Sequence, residues 1–239
     1  MKIALIGYGK MGRTIEQVAI ERGHEIFLAI SSGNSAEMTT ENLQKADCVI
    51  EFTRPDAAFE NVSACLRACV PVVCGTTAWL AQLPEAKKIC EELNGSFLYA
   101  SNFSIGVNLF FELNQHLAKL MSKHPEYKAS IHEVHHTAKL DAPSGTAITL
   151  AQGLLDNQPY YKTWVHGTLP AEDQLPITHE RTDPAPGTHT VSWKSEIDSI
   201  EMTHTAHSRL GFATGAVIAA EWLANKKGIF EMRDVLFGN

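Results

Sequence analysis

The chain has 239 residues, enough for one large domain or two modest ones with a core each, and its 44% hydrophobic and 20% charged content is that of an ordinary globular protein. A formal net charge of -7 and a pI near 5.9 exclude a global basic field that would draw the chain to nucleic acid or an anionic membrane, so an anionic ligand has to be held by local groups. Cys48, Cys65, Cys69, Cys74 and Cys90 are odd in number, lack CxxC spacing and mostly lie in apolar stretches, which predicts reduced core or near-core thiols in a cytoplasmic protein.

The first hundred residues alternate. Met-Lys-Ile-Ala-Leu-Ile at the start reads as a strand, not as a signal peptide, and no apolar run is long enough to span a bilayer. That strand, residues 2–6, ends in Gly7-Tyr8-Gly9-Lys10-Met11-Gly12, and a helical pattern runs to about Arg22, where Gly23-His24 breaks it. Strands are predicted over residues 25–30, 47–52, 71–74 and 96–99, and helices over 57–68 and 84–93. Short β-runs separated by helical patterns imply parallel strands with crossover helices, a Rossmann-type doubly wound sheet.

After Asn102 the pattern changes. Residues 108–121 and 146–155 read as helices, and 128–134, 188–193 and 199–205 as strands. Residues 156–186 hold five of the ten prolines and read as loop. This mixture predicts a second, α+β domain with a largely antiparallel sheet. Residues 212–237 read as a helix with a short extension returning to the first domain. The expected division is a dinucleotide-binding domain over residues 1–103, completed by about 213–239, and a substrate-binding and oligomerisation domain over 104–212.

Gly7-x-Gly9-x-x-Gly12 meets the dinucleotide fingerprint in its required setting, after a chain-initial strand and opening a helix. The first glycine permits the turn, the second lets a pyrophosphate approach the backbone, and the third lets helix and strand pack closely. An acid usually ends the second strand, where it meets the adenosine ribose; here Ser31 and Ser32 stand in its place. A carboxylate would repel a 2'-phosphate and hydroxyls would not, so NADPH is expected to be accepted beside NADH, with Lys10 and Arg13 as candidate sources of charge. Gly75-Thr76-Thr77 and Ala100-Ser101-Asn102-Phe103 each close a buried strand at its carboxyl end, the edge where ligands bind in such sheets.

Residues 133–147, EVHHTAKLDAPSGTA, gather acid–base and anion-binding groups. His135 and His136 can titrate near neutrality, Lys139 adds a proton donor with positive charge, and Ser144-Gly145-Thr146 sits at a predicted helix start, where free amides and a hydroxyl favour an anion. His132-Glu133-Val134-His135-His136 also spells HExxH, the zinc-peptidase motif. That chemistry needs a helix; on the predicted strand the outer histidines stand ~13 Å apart at ~3.3 Å per residue, too far for one ion, and no metal is expected. Taken singly, the histidines could be buried and structural; it is their company beside a nicotinamide fold that argues for chemistry.

These residues, with Glu51-Phe52-Thr53-Arg54-Pro55, Gly75-Thr76-Thr77, Asn102-Phe103-Ser104, His204-Thr205-Ala206-His207-Ser208-Arg209 and Gly215-Ala216, resemble the 4-hydroxy-tetrahydrodipicolinate reductase (dihydrodipicolinate reductase) family over essentially the whole chain. The segment from Glu133 to Ala147 carries most of the likeness. The resemblance implies NADH- or NADPH-dependent reduction of a cyclic dicarboxylate, with loss of water, in the diaminopimelate route to lysine. It implies His135 and Lys139 as the catalytic pair and His136, Gly145 and Thr146 as substrate-binding residues. Gly7, Tyr8, Gly9, Lys10, Met11, Gly12, Gly75, Thr76, Thr77, Ala100, Ser101, Asn102 and Phe103 match the cofactor positions, and a homotetramer is implied. Two departures stand out: the serines at 31 and 32 replace the family's frequent acid, and residues 180–187 follow its arginine- and glycine-rich loop only loosely. Another NAD(P)-dependent dehydrogenase would share the first domain without reason for the His-His and Ser-Gly-Thr segments. A dinucleotide-sensing regulator would need a basic recognition helix, which is not visible.

Overall fold

The computed structural model describes residues 1–238 and separates into two compact units, Met1–Ile105 together with the chain from Arg209 onward, and Gly106–Ser208. In chain order the first unit begins with β1 (Lys2–Ile6), α1 (Lys10–Glu21), β2 (Glu25–Ile30), α2 (Thr40–Leu43), β3 (Cys48–Glu51), α3 (Pro55–Arg67), β4 (Val72–Cys74), α4 (Leu83–Glu92) and β5 (Ser96–Tyr99). Then come α5 (Ile105–Met121), β6 (Lys128–His135), α6 (Gly145–Leu155), β7 (Thr163–His166), β8 (Gln174–Arg181), β9 (Thr188–Lys194) and β10 (Ser199–Thr205). The chain closes with α7 (Leu210–Leu223), β11 (Gly228–Phe230) and α8 (Met232–Phe237).

The first unit is built on one six-stranded sheet, β11-β5-β4-β3-β1-β2, in which every neighbouring pair is parallel. Its strands are short apolar runs because both faces are covered. Ile3 and Leu5 face one layer with Ile15, Val18 and Ala19 of α1 and Ala216, Val217 and Ala220 of α7. Ala4 and Ile6 face the other with Val62, Cys65 and Leu66 of α3 and Ala86 and Ile89 of α4. From β1 the chain goes outward to β2 and then crosses to β3 on the other side, so the order reverses between β1 and β3. There the carboxyl ends of adjacent strands open a crevice, the place where doubly wound sheets take ligands.

Two glycines make that edge possible. Gly7 has φ +101, and a Cβ on it would stand 2.0 Å from the Phe52 carbonyl oxygen; a Cβ on Gly12 would stand 2.2 Å from the Gly7 carbonyl oxygen. The turn after β1 and the first turn of α1 are thus packed backbone to backbone, as the fingerprint predicts.

The second unit holds a five-stranded sheet, β10-β9-β6-β8-β7. β10–β9 and β9–β6 are antiparallel, whereas β6–β8 and β8–β7 are parallel. The sheet is therefore mixed, which corrects the expectation of a largely antiparallel one. The cause lies in residues 156–186, expected as loop, which contain β7 and β8. Leu175 and Ile177 are buried and give β8 its period of two, but Pro176 between them hides the pattern, since proline reads as a strand breaker. On the covered face Ala129, Ile131, Leu175, Ile177, Val191 and Trp193 pack with Phe110, Ala118 and Met121 of α5 and Ala147, Leu150, Ala151 and Leu154 of α6.

Other differences are smaller. The stretch after α7 adds β11, a three-residue strand too short to carry a pattern, to the edge of the parallel sheet beside β5. Cys48, Cys65, Cys74 and Cys90 are buried thiols, but Cys69, expected in or near the core, is exposed at the end of α3. Among the described residues no helix is long and apolar enough to cross a membrane.

The glycine geometry separates two substitutions. Gly12→Ala forces backbone apart, an overpacking of about 1–3 kcal/mol, and is expected to lower the thermal midpoint by about 3–10 °C. A Cβ on Gly9 meets nothing within 4 Å, so Gly9→Ala is expected to melt near the wild-type temperature. Equal midpoints for both variants in a calorimetric scan would contradict this packing.

Candidate active site

In the first unit the expected cofactor residues line the carboxyl edge of the parallel sheet. Gly9 is the N-cap of α1, and with open space beside its Cα it leaves the helix's free amides approachable, the arrangement that favours a phosphate. The Tyr8 hydroxyl donates to Glu16, and the Arg13 guanidinium lies 5.1 Å over the Tyr8 ring. Lys10 is exposed and Met11 half-buried.

The neighbouring loops are latched to each other. The Thr53 amide donates to Thr76 Oγ1 (2.7 Å), and Trp79 Nε1 donates to the Thr76 carbonyl (2.7 Å), so Thr76 is committed to holding the loops after β3 and β4. Thr77 beside it is exposed. The Gly75 amide donates to the Glu51 carbonyl (2.9 Å) and the Ala100 amide to that of Cys74 (3.2 Å). Ser101 is exposed, Asn102 Oδ1 accepts from the Ser104 amide (2.9 Å), and the buried Phe103 ring stands 5.5 Å from Phe52. Beneath them the fully buried Glu51 carboxylate accepts from Thr53 Oγ1, Asn61 Nδ2 (3.3 Å) and Cys74 Sγ (3.0 Å).

At the end of β2 the Ser31 amide and hydroxyl both donate to Asn34 Oδ1 (2.7 and 3.0 Å), while Ser32 is exposed. Sequence position alone did not separate the two serines. Only Ser32 keeps its side chain outward.

In the second unit the strand period brings the acid–base residues to the sheet end. β6 buries Ala129, Ile131, Glu133 and His135 on one face and turns Ser130, His132 and Val134 to the other. His132, on the opposite face from Glu133, bonds Thr178 Oγ1 through Nδ1 (2.8 Å). His132 to His135 of the HExxH segment thus lie on β6 and His136 just past its end, not on the helix that the zinc motif needs.

Glu133 is fully buried. Its Oε1 accepts from Arg181 Nη2 (3.0 Å), and both oxygens lie in bonding range of the Ser144 amide (3.2 and 3.1 Å). Oε2 also stands 3.6 Å from His135 Nδ1 and 3.6 Å from His189 Nε2, an ion-pair distance rather than a hydrogen bond. Burial pushes the Glu133 carboxyl up, but His189, Ser144, Arg181 and the charge of His135 outweigh it and hold the group well below the usual carboxylate range. His135 is pushed down to about 4, first by burial and then by His189, against the pull of Glu133. Free of ligand, it is neutral at neutral pH.

The chain after β6 is stapled at several points. The Thr182 amide donates to the His135 carbonyl (2.8 Å), and Thr137 bonds the Asp183 carboxylate through its amide (3.3 Å) and hydroxyl (2.5 Å). Half-buried His136 lies near enough for its charge to lower the Asp183 carboxyl, behind the larger effect of the Thr137 hydrogen bonds. Lys139 Nζ sits in a two-pronged pair with Asp141 (2.8 and 2.9 Å), and Arg181 Nη2 also donates to the Asp141 carbonyl (2.7 Å). Ser144 caps α6, its Oγ accepting from the Ala147 amide (3.2 Å) and lying 3.1 Å from His189 Nε2. Exposed Gly145 and half-buried Thr146 follow in the first turn, a helix start open to an anion.

The structure thus gathers His135, Lys139 and the Ser144-Gly145-Thr146 start around one sheet end, and adds residues to which sequence reasoning gave no role. Glu133 stood in the sequence as part of a zinc motif and as the first residue of the family-like segment, with no role of its own. Arg181 lies where the loop follows its family pattern loosely, and His189 pairs with Glu133 through strand register, for which no local signal exists. Glu133, His135 and His189 are grouped with donor atoms within 4.8 Å of one another. The Arg181 guanidinium and the Ser144 amide already take the carboxylate, and a fixed cation at 3.0 Å opposes a metal ion there.

Residues 1–103 match the family description "Dihydrodipicolinate reductase, N-terminus" and residues 106–236 match "Dihydrodipicolinate reductase, C-terminus". A 4-hydroxy-tetrahydrodipicolinate reductase of Christiangramia forsetii is 50% identical over 236 residues, covering 99% of this chain and 98% of the relative. Among solved structures, a dipicolinate-bound dihydrodipicolinate reductase from Paenisporosarcina sp. TG-14 covers 99% of both chains with a TM-score of 0.78 at 23% identity. An amine dehydrogenase from Mycobacterium smegmatis covers 96% of this chain and 94% of its own with a TM-score of 0.63 at 9% identity, a likeness of fold.

The lowered proton affinity of His135 has a consequence for stability. Between about 6.5, the ordinary histidine value, and about 4 the unfolded chain binds a proton that the folded chain refuses. Stability therefore falls as pH drops through that window and is unaffected by His135 above it. Wild type is expected to lose on the order of 2 kcal/mol more than His135→Asn between pH 7 and pH 5, about 4–8 °C in midpoint. Parallel losses in the two proteins would contradict the buried, neutral imidazole.

Proposed function

The chain belongs to the dihydrodipicolinate reductase family, and on that premise we propose that it reduces 4-hydroxy-tetrahydrodipicolinate to tetrahydrodipicolinate, with loss of water, in the diaminopimelate route to lysine. The observation that carries this reading is the meeting of His135, Lys139, Arg181 and the open start of α6 at one end of the mixed sheet. A dianionic ring needs positive charge and free amides close together. A helix start alone contributes roughly 0.3–1 kcal/mol toward an exposed anion, which is why the cationic side chains matter.

The first unit has the features a nicotinamide dinucleotide requires: a glycine turn at the switch point, a helix N-terminus without a side chain over it, and loops latched by Thr76. When bound, the dinucleotide supplies hydride. Gly7, Tyr8, Gly9, Lys10, Met11 and Gly12 would hold its phosphates, with Gly75, Thr76, Thr77, Ala100, Ser101, Asn102 and Phe103 along the same edge. No carboxylate ends β2, and Ser32 is the hydroxyl turned outward there. This supports acceptance of NADPH as well as NADH.

In the second unit His136, Gly145 and Thr146 hold the substrate carboxylates together with Arg181. Because His135 is neutral before the substrate arrives, the Lys139 ammonium is the proton source held ready, and it protonates the ring as charge develops along the conjugated system. The arriving dianion draws a proton onto His135, which then stabilises it. The reading extends to a cytoplasmic homotetramer joined through the second unit, following the family.

Two measurements test these assignments. Lys139→Ala and His135→Ala are each expected to lower kcat by about 10²-fold or more while NADPH affinity, read by fluorescence, stays within about twofold; near-wild-type turnover in Lys139→Ala would overturn the proton-donor assignment, and in His135→Ala the stabilising role given to His135. The specificity constants for NADH and NADPH are expected to lie within about tenfold of each other, and strong discrimination against NADPH would contradict the role given to the serine turn after β2.

A further inference from the structure

The reaction as described leaves Glu133 without a part. A carboxylate fully removed from water, beside a site that has to hold a dianion, is opposed both by burial and by the ligand's charge. It persists because only donors and cations surround its two oxygens. Arg181 and Ser144 bond to it directly, and His135 Nδ1 and His189 Nε2 stand at 3.6 Å.

The two groups bonded to Glu133, Arg181 and Ser144, each have a second engagement at the site. Arg181 Nη2 also holds the Asp141 carbonyl, in the loop that carries Lys139. Ser144 donates its amide downward to Glu133 while its hydroxyl caps α6 and meets His189. Among the described residues His135 Nδ1 has no hydrogen-bond partner, and Glu133 Oε2, 3.6 Å away, is an acceptor for a proton there when the ring becomes charged.

We propose that Glu133 is a positioning residue for the reduction: its buried carboxylate aligns the Ser144 amide at the start of α6, the Arg181 guanidinium and the His135 ring, and it acts on the substrate only through them. The inference rests on the assignment of His135 to the acid–base chemistry. Facing Glu133 are His135 on its own strand, Arg181 and His179 on β8, His189 on β9 with His204 of β10 beyond it, and Lys139 and Asp141 in the loop before α6. Of the groups that act on His135, His189, Lys139 and Arg181 weaken its hold on a proton, and Glu133 strengthens it. Glu133→Gln removes that support and turns an amide donor toward groups that are donors themselves, whereas Glu133→Asp keeps the charge one methylene short.

The test is the pH dependence of kcat/KM with saturating NADPH, together with dipicolinate inhibition, NADPH affinity and thermal midpoint. Glu133→Gln is expected to lower kcat at least about tenfold. It should move the ionisation that belongs to His135 down by about one pH unit and leave NADPH affinity within about twofold. Glu133→Asp should restore the wild-type position of that ionisation with a reduced kcat. A Glu133→Gln profile that superimposes on wild type, with any loss matched by the folded fraction, would overturn the proposal, as would wild-type kcat in Glu133→Asp. Should Glu133→Gln not fold, Glu133→Asp, which keeps the charge one methylene short of its partners, carries the test: a lowered kcat in fully folded protein with NADPH affinity unchanged supports the proposal, and a wild-type kcat overturns it. Full turnover in His135→Ala would instead remove the acid–base assignment, so the two failures are distinguishable.

Discussion

A buried carboxylate must be met by donors on every side or it destabilises the fold that buries it. Glu133 meets that condition, and doing so fixes the geometry of the second unit's sheet end. Arg181 on β8, His189 on β9, the backbone at Ser144 and the ring of His135 are all set by their relation to two oxygens. The register that pairs Glu133 with both His179 and His189 across β6 is what brings those strands' side chains to the same place. A one-residue slip would turn Glu133 to the opposite face and dissolve the cluster.

The first unit uses a related device. Glu51 ends β3, also fully buried, and collects Thr53, Asn61 and Cys74 beneath the loops after β3 and β4. In both units a fully buried acid at or near the carboxyl end of a strand has partners that hold neighbouring loops. The difference lies in what the loops present. At the parallel sheet it is glycine backbone and the start of α1, suited to phosphates; at the mixed sheet it is lysine, arginine, histidine and the start of α6, suited to carboxylates.

Strands β1 to β5 of the parallel sheet were legible in the chain because each is a short, largely apolar run and the helices between them have their own period, whereas β11, three half-buried residues, was not. Gly7 and Gly12 were legible too, since close backbone contact admits no other residue. The mixed sheet was only half legible: β6, β9 and β10 show clean alternation, but Pro176 masked β8 and four residues were too few to reveal β7. Of the site, His135, Lys139 and Ser144 to Thr146 stand in one segment and could be read together. Arg181 and His189 come from strands about fifty residues further along the chain, brought in by register and a crossover, and nothing local marks them. Glu133 was in plain view, but as part of HExxH it suggested a metal, and only its inward orientation on a strand gives it another meaning.

On the proposed function, the groups assembled around Glu133 bind a cyclic dicarboxylate and protonate it as hydride is delivered. Oxidation of NADPH by the wild-type protein, followed at 340 nm with enzymatically generated 4-hydroxy-tetrahydrodipicolinate and with dipicolinate as competitor, tests it most directly. Substrate-dependent oxidation that dipicolinate suppresses in competition with the substrate is expected. Absence of both turnover and inhibition, in protein that still binds NADPH, would contradict it.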